Sequence, residues 1–192
     1  MMQELRDKII SNAHIRFLNG GIKWLNLDYI ASDCSISRKT LNQYFNRSQL
    51  IDAVIESKIE TYHQSLSAIE IEQLGPVEEL TKLLSFTETL GCDFSNVFLR
   101  DLRRHYPKNW SLIDGFIKGS LKKLFIQNLI NGVNQGFYRK AIDVELLTEI
   151  YFSTGLMLIE SGIGQLNAVS GGKSIGEMNN NFFAGLTNFN FK

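Results

Sequence analysis

NLDYIASDCSISRKTLNQYFNRSQLIDAV, residues 26–54 of the chain, contains three helix starts and two stops. Leu27, Ile30, Ala31 and Cys34 recur at helical spacing, so one face of a short helix is apolar. Asn26 is placed to cap that helix, and Asp28 sits in its first turn, where the helix dipole favours an anion. Ser35 and Ile36 interrupt the pattern. Ser37 can cap a second helix, on which Leu41 and Phe45 share a face. Asn46, with Gln49 three residues on, reads as a capping-box variant, and Phe45 with Leu50 reads as the flanking hydrophobic staple. A long helix therefore begins near Arg47, with Leu50, Ile51, Val54, Ile55 and Ile59 turned inward. Two short helices joined by a tight turn and followed by a capped third make a helix-turn-helix.

Upstream, Leu5, Ile9, Ala13 and Phe17 step by four with Ile10 beside them, and Asn19-Gly20-Gly21 ends the run. This first helix packs across the pair and completes a three-helix core, with Ile22, Trp24 and Leu25 filling the link. Every charge between residues 35 and 50 is positive: Arg38, Lys39 and Arg47. The patch is local, because residues 1–60 hold eight basic side chains against seven acidic ones, and the 192-residue chain carries 20 of each. Such a balance argues against nonspecific coating of nucleic acid. A helix-turn-helix brings the first part of its second helix to base edges. Arg38, Lys39, Thr40 and Gln43 are the candidates there, since Arg and Lys match guanine and Gln matches adenine. Ser37, Asn42, Tyr44 and Arg47 are placed for backbone phosphates, and Asn26 and Ser48 complete the candidate DNA-binding set. Tyr44 reads equally well as a core residue beside Phe45.

Residues 9–54 resemble the N-terminal domain of the TetR family of transcriptional regulators (TetR/AcrR-like). The resemblance runs through Ile10, Ala13, Phe17, Gly21, Ile30-Ala31, Ile36-Ser37, Thr40-Leu41, Tyr44-Phe45 and Leu50. Ser35 stands where that pattern carries Gly, Asn42 where it carries Tyr, and Ser48 where it carries Lys. A non-Gly residue in a left-handed turn costs on the order of 1 kcal/mol, which a packed core absorbs. Losing the lysine charge lowers affinity and flattens its salt dependence. FLRDLRRHYPKNW (98–110) and NGVNQGFYRKAIDV (131–144) resemble, less specifically, segments of the same family's second half. The resemblance implies an effector pocket there and a homodimer through the last two helices.

Helical periods continue beyond the first domain. The fourth helix extends to about residue 73, and Gly75-Pro76 with Glu78-Glu79 starts the next, which is expected to stop near Gly91. A helix over roughly 93–104 ends at His105-Tyr106-Pro107, and a long one then runs to about residue 135. Asp143 caps the following helix, with Ile142 and Leu147 as staple. Residues 162–172 read as a loop, and Ser174 with Glu177 as the capping box of a last helix. No strand signature of useful length occurs. The expected fold is all-α: a helix-turn-helix DNA-binding domain over residues 1–48, then a larger helical effector-binding and dimerisation domain over 49–192.

Phe86, Phe98, Trp110, Phe116, Phe125 and Tyr151 are the aromatic candidates for a ligand cavity, although aromatics at helical spacing also make plain core. Leu147, Tyr151, Thr154, Leu158, Phe182, Phe183 and Leu186 are the candidates for a dimer interface, the first four as a heptad-like stripe. Two cysteines are too few for a disulfide framework, and the histidines (14, 63 and 105) follow no metal spacing. The first helix is amphipathic and charged, unlike an export signal, and no apolar run reaches a membrane span. A cytoplasmic protein without cofactor or metal is expected, not an enzyme, since no nucleophile–base pair or phosphate loop stands out. Its partners are a double-stranded DNA operator, a small-molecule effector and a second copy of itself. The expected function is that of a repressor released from a palindromic operator by its effector. The alternative is a helical small-molecule-binding protein with weakened or lost DNA recognition.

Overall fold

The computed structural model describes residues 2–161 and 168–187, without the side chains of 168–172. Helix α1 (Met2–Gly20) buries Ile9, Ile10, Ala13 and Phe17, the stripe its spacing requires. Helices α2 (Leu27–Asp33) and α3 (Arg38–Tyr44) follow, each with a side-chain cap. The Asn26 carboxamide accepts from the Asp28 N–H, and the Ser37 hydroxyl from the Thr40 N–H. Ser35 turns the chain between them at φ 59°, the left-handed geometry for which glycine is usual. The Asn46–Gln49 capping box starts α4 (Arg47–Ile71). Phe45 and Leu50 are buried beside it, as a staple requires.

The remaining elements are α5 (Pro76–Asp93), α6 (Asn96–His105), α7 (Pro107–Gly115), a π-helical segment (Phe116–Leu121), α8 (Lys122–Asn134), α9 (Val144–Ser161) and α10 (Ala168–Leu186). Among the described residues there is no strand, only one isolated bridge between Tyr138 and Thr187. None of the described helices is long and apolar enough to cross a membrane.

Three expected boundaries move. Gly91 does not stop α5, because it lies buried within the helix and Ser95 caps the next one, accepting from the Phe98 N–H. The long helix after Pro107 changes hydrogen-bonding register at Phe116–Leu121. The last helix begins at Ala168, so Ser174 and Glu177 lie inside it and are not its cap. Of the loop expected over 162–172, residues 168–172 are helical and 162–167 lie outside the described residues.

The first three helices are fixed to the body at several points. Phe17 meets Phe98 of α6 at 5.6 Å between ring centroids, and the His14 ring lies 3.1 Å from the Asp93 carbonyl. Burial, then the nearby Lys58 charge, lowers the His14 pKa below its ordinary 6.5. Lys58 and the Tyr62 hydroxyl, both on α4, hold the Asp93 carboxylate at 2.8 and 2.9 Å. The Asp101 carboxylate of α6, buried, accepts the backbone N–H groups of Ile22 and Lys23 at 2.9 and 2.8 Å. Gly21 permits this approach: its φ is 71°, and a Cβ there would lie 2.5 Å from the Asp101 carboxylate oxygen.

Candidate functional site

The site has two parts, an exposed helix face and an interior cavity. On α3, Arg38, Lys39, Asn42 and Gln43 are exposed, while Leu41 anchors the helix in the core. Arg38 donates to the Asn42 side-chain oxygen at 3.1 Å and lies 3.6 Å from Asp28. Asn42 thereby fixes the direction of the guanidinium. Thr40 is half-buried, its hydroxyl 2.8 Å from that of Ser37. Tyr44 is half-buried against the core and Ser48 is exposed. Arg47 departs from the expectation of a side chain directed at a phosphate. Its guanidinium turns back on the loop before α2 and donates to the carbonyls of Leu25, Ile22 and Lys23 at 3.0, 2.7 and 2.8 Å. Asn26 is likewise occupied as a cap. The face therefore presents Arg38, Lys39, Thr40 and Gln43 on a helix held at both ends.

The cavity, of about 540 Å³, lies among α5, α7, the π-helical segment, α8, α9 and α10. Its wall is apolar: Leu90, Ile117, Leu121, Ile126, Phe152, Leu156, Ile175 and Met178 all contribute. Lys118, Lys123, Gln127, Glu149 and Ser153 are exposed and form its mouth. Lys118 pairs with Asp114 at 2.8 Å, and Lys122 with Glu149.

Of the six aromatic candidates, Trp110 and Tyr151 line this cavity. The other four are core. Phe98 packs on Phe17 and Phe94 at the seam with the first helices. Phe86 and Phe116 cluster around Tyr62, and Phe125 stacks on Tyr151 from behind. The Tyr151 hydroxyl is a buried polar point of the wall, 2.7 Å from both the Thr87 hydroxyl and the Asn179 side-chain oxygen. Asn179 in turn donates to the Leu84 carbonyl and Glu88. Burial pushes the Tyr151 phenol well above its ordinary pKa of 10.0, so it stays a donor. The circuit joins α5, α9 and α10 and satisfies its own members.

Trp110 also carries Arg103 of α6, whose guanidinium carbon lies 4.8 Å from the ring centroid and which pairs with Glu160 of α9. Asp101, two residues earlier on α6, holds the loop before α2. Nothing in the sequence around Asp101 announces this role, because the partners lie 79 and 78 positions away.

The candidates for a dimer interface differ in exposure. Tyr151 and Leu186 are buried within the chain, and Leu147, Thr154, Leu158, Phe182 and Phe183 are half-buried. The apolar residues that α9 leaves exposed are Leu146, Ile150 and Met157, on one face of the helix. Phe189, a further aromatic of the last segment, lies outside the described residues.

A three-helix helix-turn-helix head on a helical body with an apolar cavity defines the class of this fold. Solved structures of transcriptional regulators share it over nearly their whole lengths. A TetR-family regulator from Agrobacterium tumefaciens matches with TM-score 0.76 and 16% identity, over 96% of this chain and 98% of that one. The ketosteroid regulator KstR2 of Mycobacterium tuberculosis matches with TM-score 0.69 and 15% identity, over 95% and 94%. FadR from Bacillus subtilis, solved in complex with stearoyl-CoA, matches with TM-score 0.62 and 19% identity, over 93% and 97%. No protein-family model matches the sequence, and no curated protein matches it. The chain has the fold of these regulators.

Proposed function

We propose that the chain is a TetR-type transcriptional regulator, a homodimeric repressor whose affinity for a palindromic operator falls when a small molecule enters the cavity. The observation that carries this reading is the exposed, capped α3 with Arg38, Lys39, Thr40 and Gln43 on its outer face, mounted on a body that contains an apolar cavity. Residues 1–48 act as the DNA-binding unit and 49–192 as the effector and dimer unit, with α4 crossing from one to the other. Arg38, Lys39 and Gln43 read base edges, while Ser37, Asn42, Tyr44 and Ser48 support backbone contacts. Arg47 and Asn26 contribute by shaping the loop and the start of α2.

The chemistry of the cavity selects an apolar effector with one polar end, its body against Leu121, Ile126 and Leu156 and its polar end at the lysine-bearing mouth. Leu146, Ile150 and Met157 supply the apolar face for a second copy in the cytoplasm. A bound molecule that displaces Trp110 acts on Arg103, and through α6 on Asp101 and the loop before α2. The effector thus shifts the population of head orientations and not the chemistry of the reading face.

Selection of bound duplexes from a random-sequence library, followed by footprinting, tests the reading. A palindrome with half-sites about 34 Å apart is expected, together with loss of protection in a variant carrying Arg38→Ala and Lys39→Ala. Recovery of no sequence, or unchanged protection in the variant, refutes it. Light scattering should give a dimer that Ile150→Glu converts to monomer.

A further inference from the structure

Trp24 is 78% exposed, in the loop between α1 and α2, with the Lys23 ammonium 4.9 Å from the centroid of its ring. A large apolar side chain displayed on a mobile loop would carry little meaning, but this loop is held from two sides. Asp101 takes the N–H groups of Ile22 and Lys23, and Arg47 takes the carbonyls of Ile22, Lys23 and Leu25. A buried carboxylate and a half-buried guanidinium thus fix the backbone that presents Lys23 and Trp24.

The position of this loop names the partner. Arg47, the first residue of α4, follows the end of α3 by three positions and brings the loop against the start of α4. Asn26, two residues after Trp24, caps α2, and Asp28 of α2 reaches Arg38 of α3. The loop therefore borders the reading helix on the side of both neighbouring helix starts. Arg47 is engaged by carbonyls and Ser48 is uncharged, whereas Lys23 is an exposed cation on this border.

We propose that Lys23 and Trp24 form a second DNA-contacting edge that docks on the sugar–phosphate backbone beside the bases read by α3. This rests on the DNA-binding reading above and adds a site to it. An indole suits the task, with an apolar face for deoxyribose and an N–H for a phosphate oxygen, and the lysine supplies the charge. Because the loop is held in place, little ordering cost is incurred on binding.

The chain has two tryptophans, Trp24 at this edge and Trp110 in the cavity wall, so 5-fluorotryptophan labelling gives two fluorine resonances. Trp24→Phe assigns them. The labelled protein is titrated at low salt with a mixed-sequence duplex of about 30 base pairs, enough for two half-sites. The Trp24 resonance is expected to shift and become protected from solvent, and Trp110 to stay in place. Trp24→Ala should weaken duplex binding about five- to tenfold. Lys23→Ala should lower the slope of log affinity against log salt by about 0.9. Both residues are exposed, and circular dichroism checks that each variant folds. Duplex binding with an unmoved Trp24 resonance and unchanged affinities in both variants overturns the proposal. A Trp24 shift that follows protein concentration instead of DNA also overturns it, assigning the edge to a second copy. If the wild type binds no duplex, and Arg38→Ala with Lys39→Ala changes nothing, the DNA-binding reading itself has failed and this edge falls with it.

Discussion

Replacing Gly21 by Ala puts a methyl group where the head is clamped to the body. The cost has two parts. The residue sits at φ 71°, a conformation that disfavours an L side chain by about 1–2 kcal/mol. The added Cβ would also lie 2.5 Å from the Asp101 carboxylate oxygen and 2.7 Å from the Val97 methyl. Relieving that overlap costs about 1–3 kcal/mol more, so the total is about 2–5 kcal/mol. Gly136 provides the control, because its φ is 81° but nothing lies within 4 Å of its Cβ position. Gly136→Ala should therefore lose only the backbone part, about 1–2 kcal/mol. Urea unfolding followed by circular dichroism measures both, with the midpoint read at unchanged slope. Equal midpoint shifts in the two variants would refute the clamp, since the backbone part alone would then account for both. Because folded domains are stable by only about 5–15 kcal/mol, the larger loss should be plain in the data.

Tyr151→Phe removes the proton that satisfies the Asn179 oxygen inside the α5–α9–α10 circuit and should cost about 1–3 kcal/mol, read as a lowered urea midpoint. An unchanged midpoint would show that the circuit is replaceable. His14, its pKa lowered chiefly by burial, is neutral in the folded state while its unfolded counterpart titrates at 6.5. Its contribution is fully present above pH 6.5 and is lost as pH falls through the lower folded value. His14→Gln should flatten the fall in stability over that acid range, and an identical pH slope would count against it. Arg47→Lys keeps the charge but cannot reach three diverging carbonyls, so about 1–2 kcal/mol should be lost, as it should in Arg47→Ala. Full stability in the lysine variant would mean that charge alone suffices.

What could be read from the sequence was local. The caps at Asn26, Ser37 and Asn46 depend on residues two or three positions away, and the left-handed turn at Ser35 on its immediate neighbours. These signals placed the first four helices and the exposed face of α3. The cavity was only partly legible, because a stripe of aromatics does not say which helix it will meet. Trp110 and Tyr151 face the cavity, whereas Phe86, Phe98, Phe116 and Phe125 meet other rings. In the stripe beginning at Leu147, Tyr151 is buried and Leu147, Thr154 and Leu158 are half-buried, whereas the stripe beginning one residue earlier, at Leu146, is exposed. One residue is about 100° of helix rotation, which is enough to exchange inside for outside. The roles of Asp101 and Arg47 depend on contacts across the fold, and no period in the sequence encodes them.

The π-helical segment Phe116–Leu121 has a consequence for how chains of this fold are compared. Phe116 and Leu121 are both buried although five positions apart, a spacing that would point them about 140° from each other on a regular α-helix. The wider turn absorbs one residue within the helix, so that Phe116 joins the cluster around Tyr62 while Leu121 still reaches the cavity. A relative one residue shorter here could keep every flanking side chain on its present face by reverting to α-helical register. An alignment that confines gaps to loops would then misplace the whole of α8 by one position. Its lysines, Lys122 and Lys123, would be matched to the wrong partners.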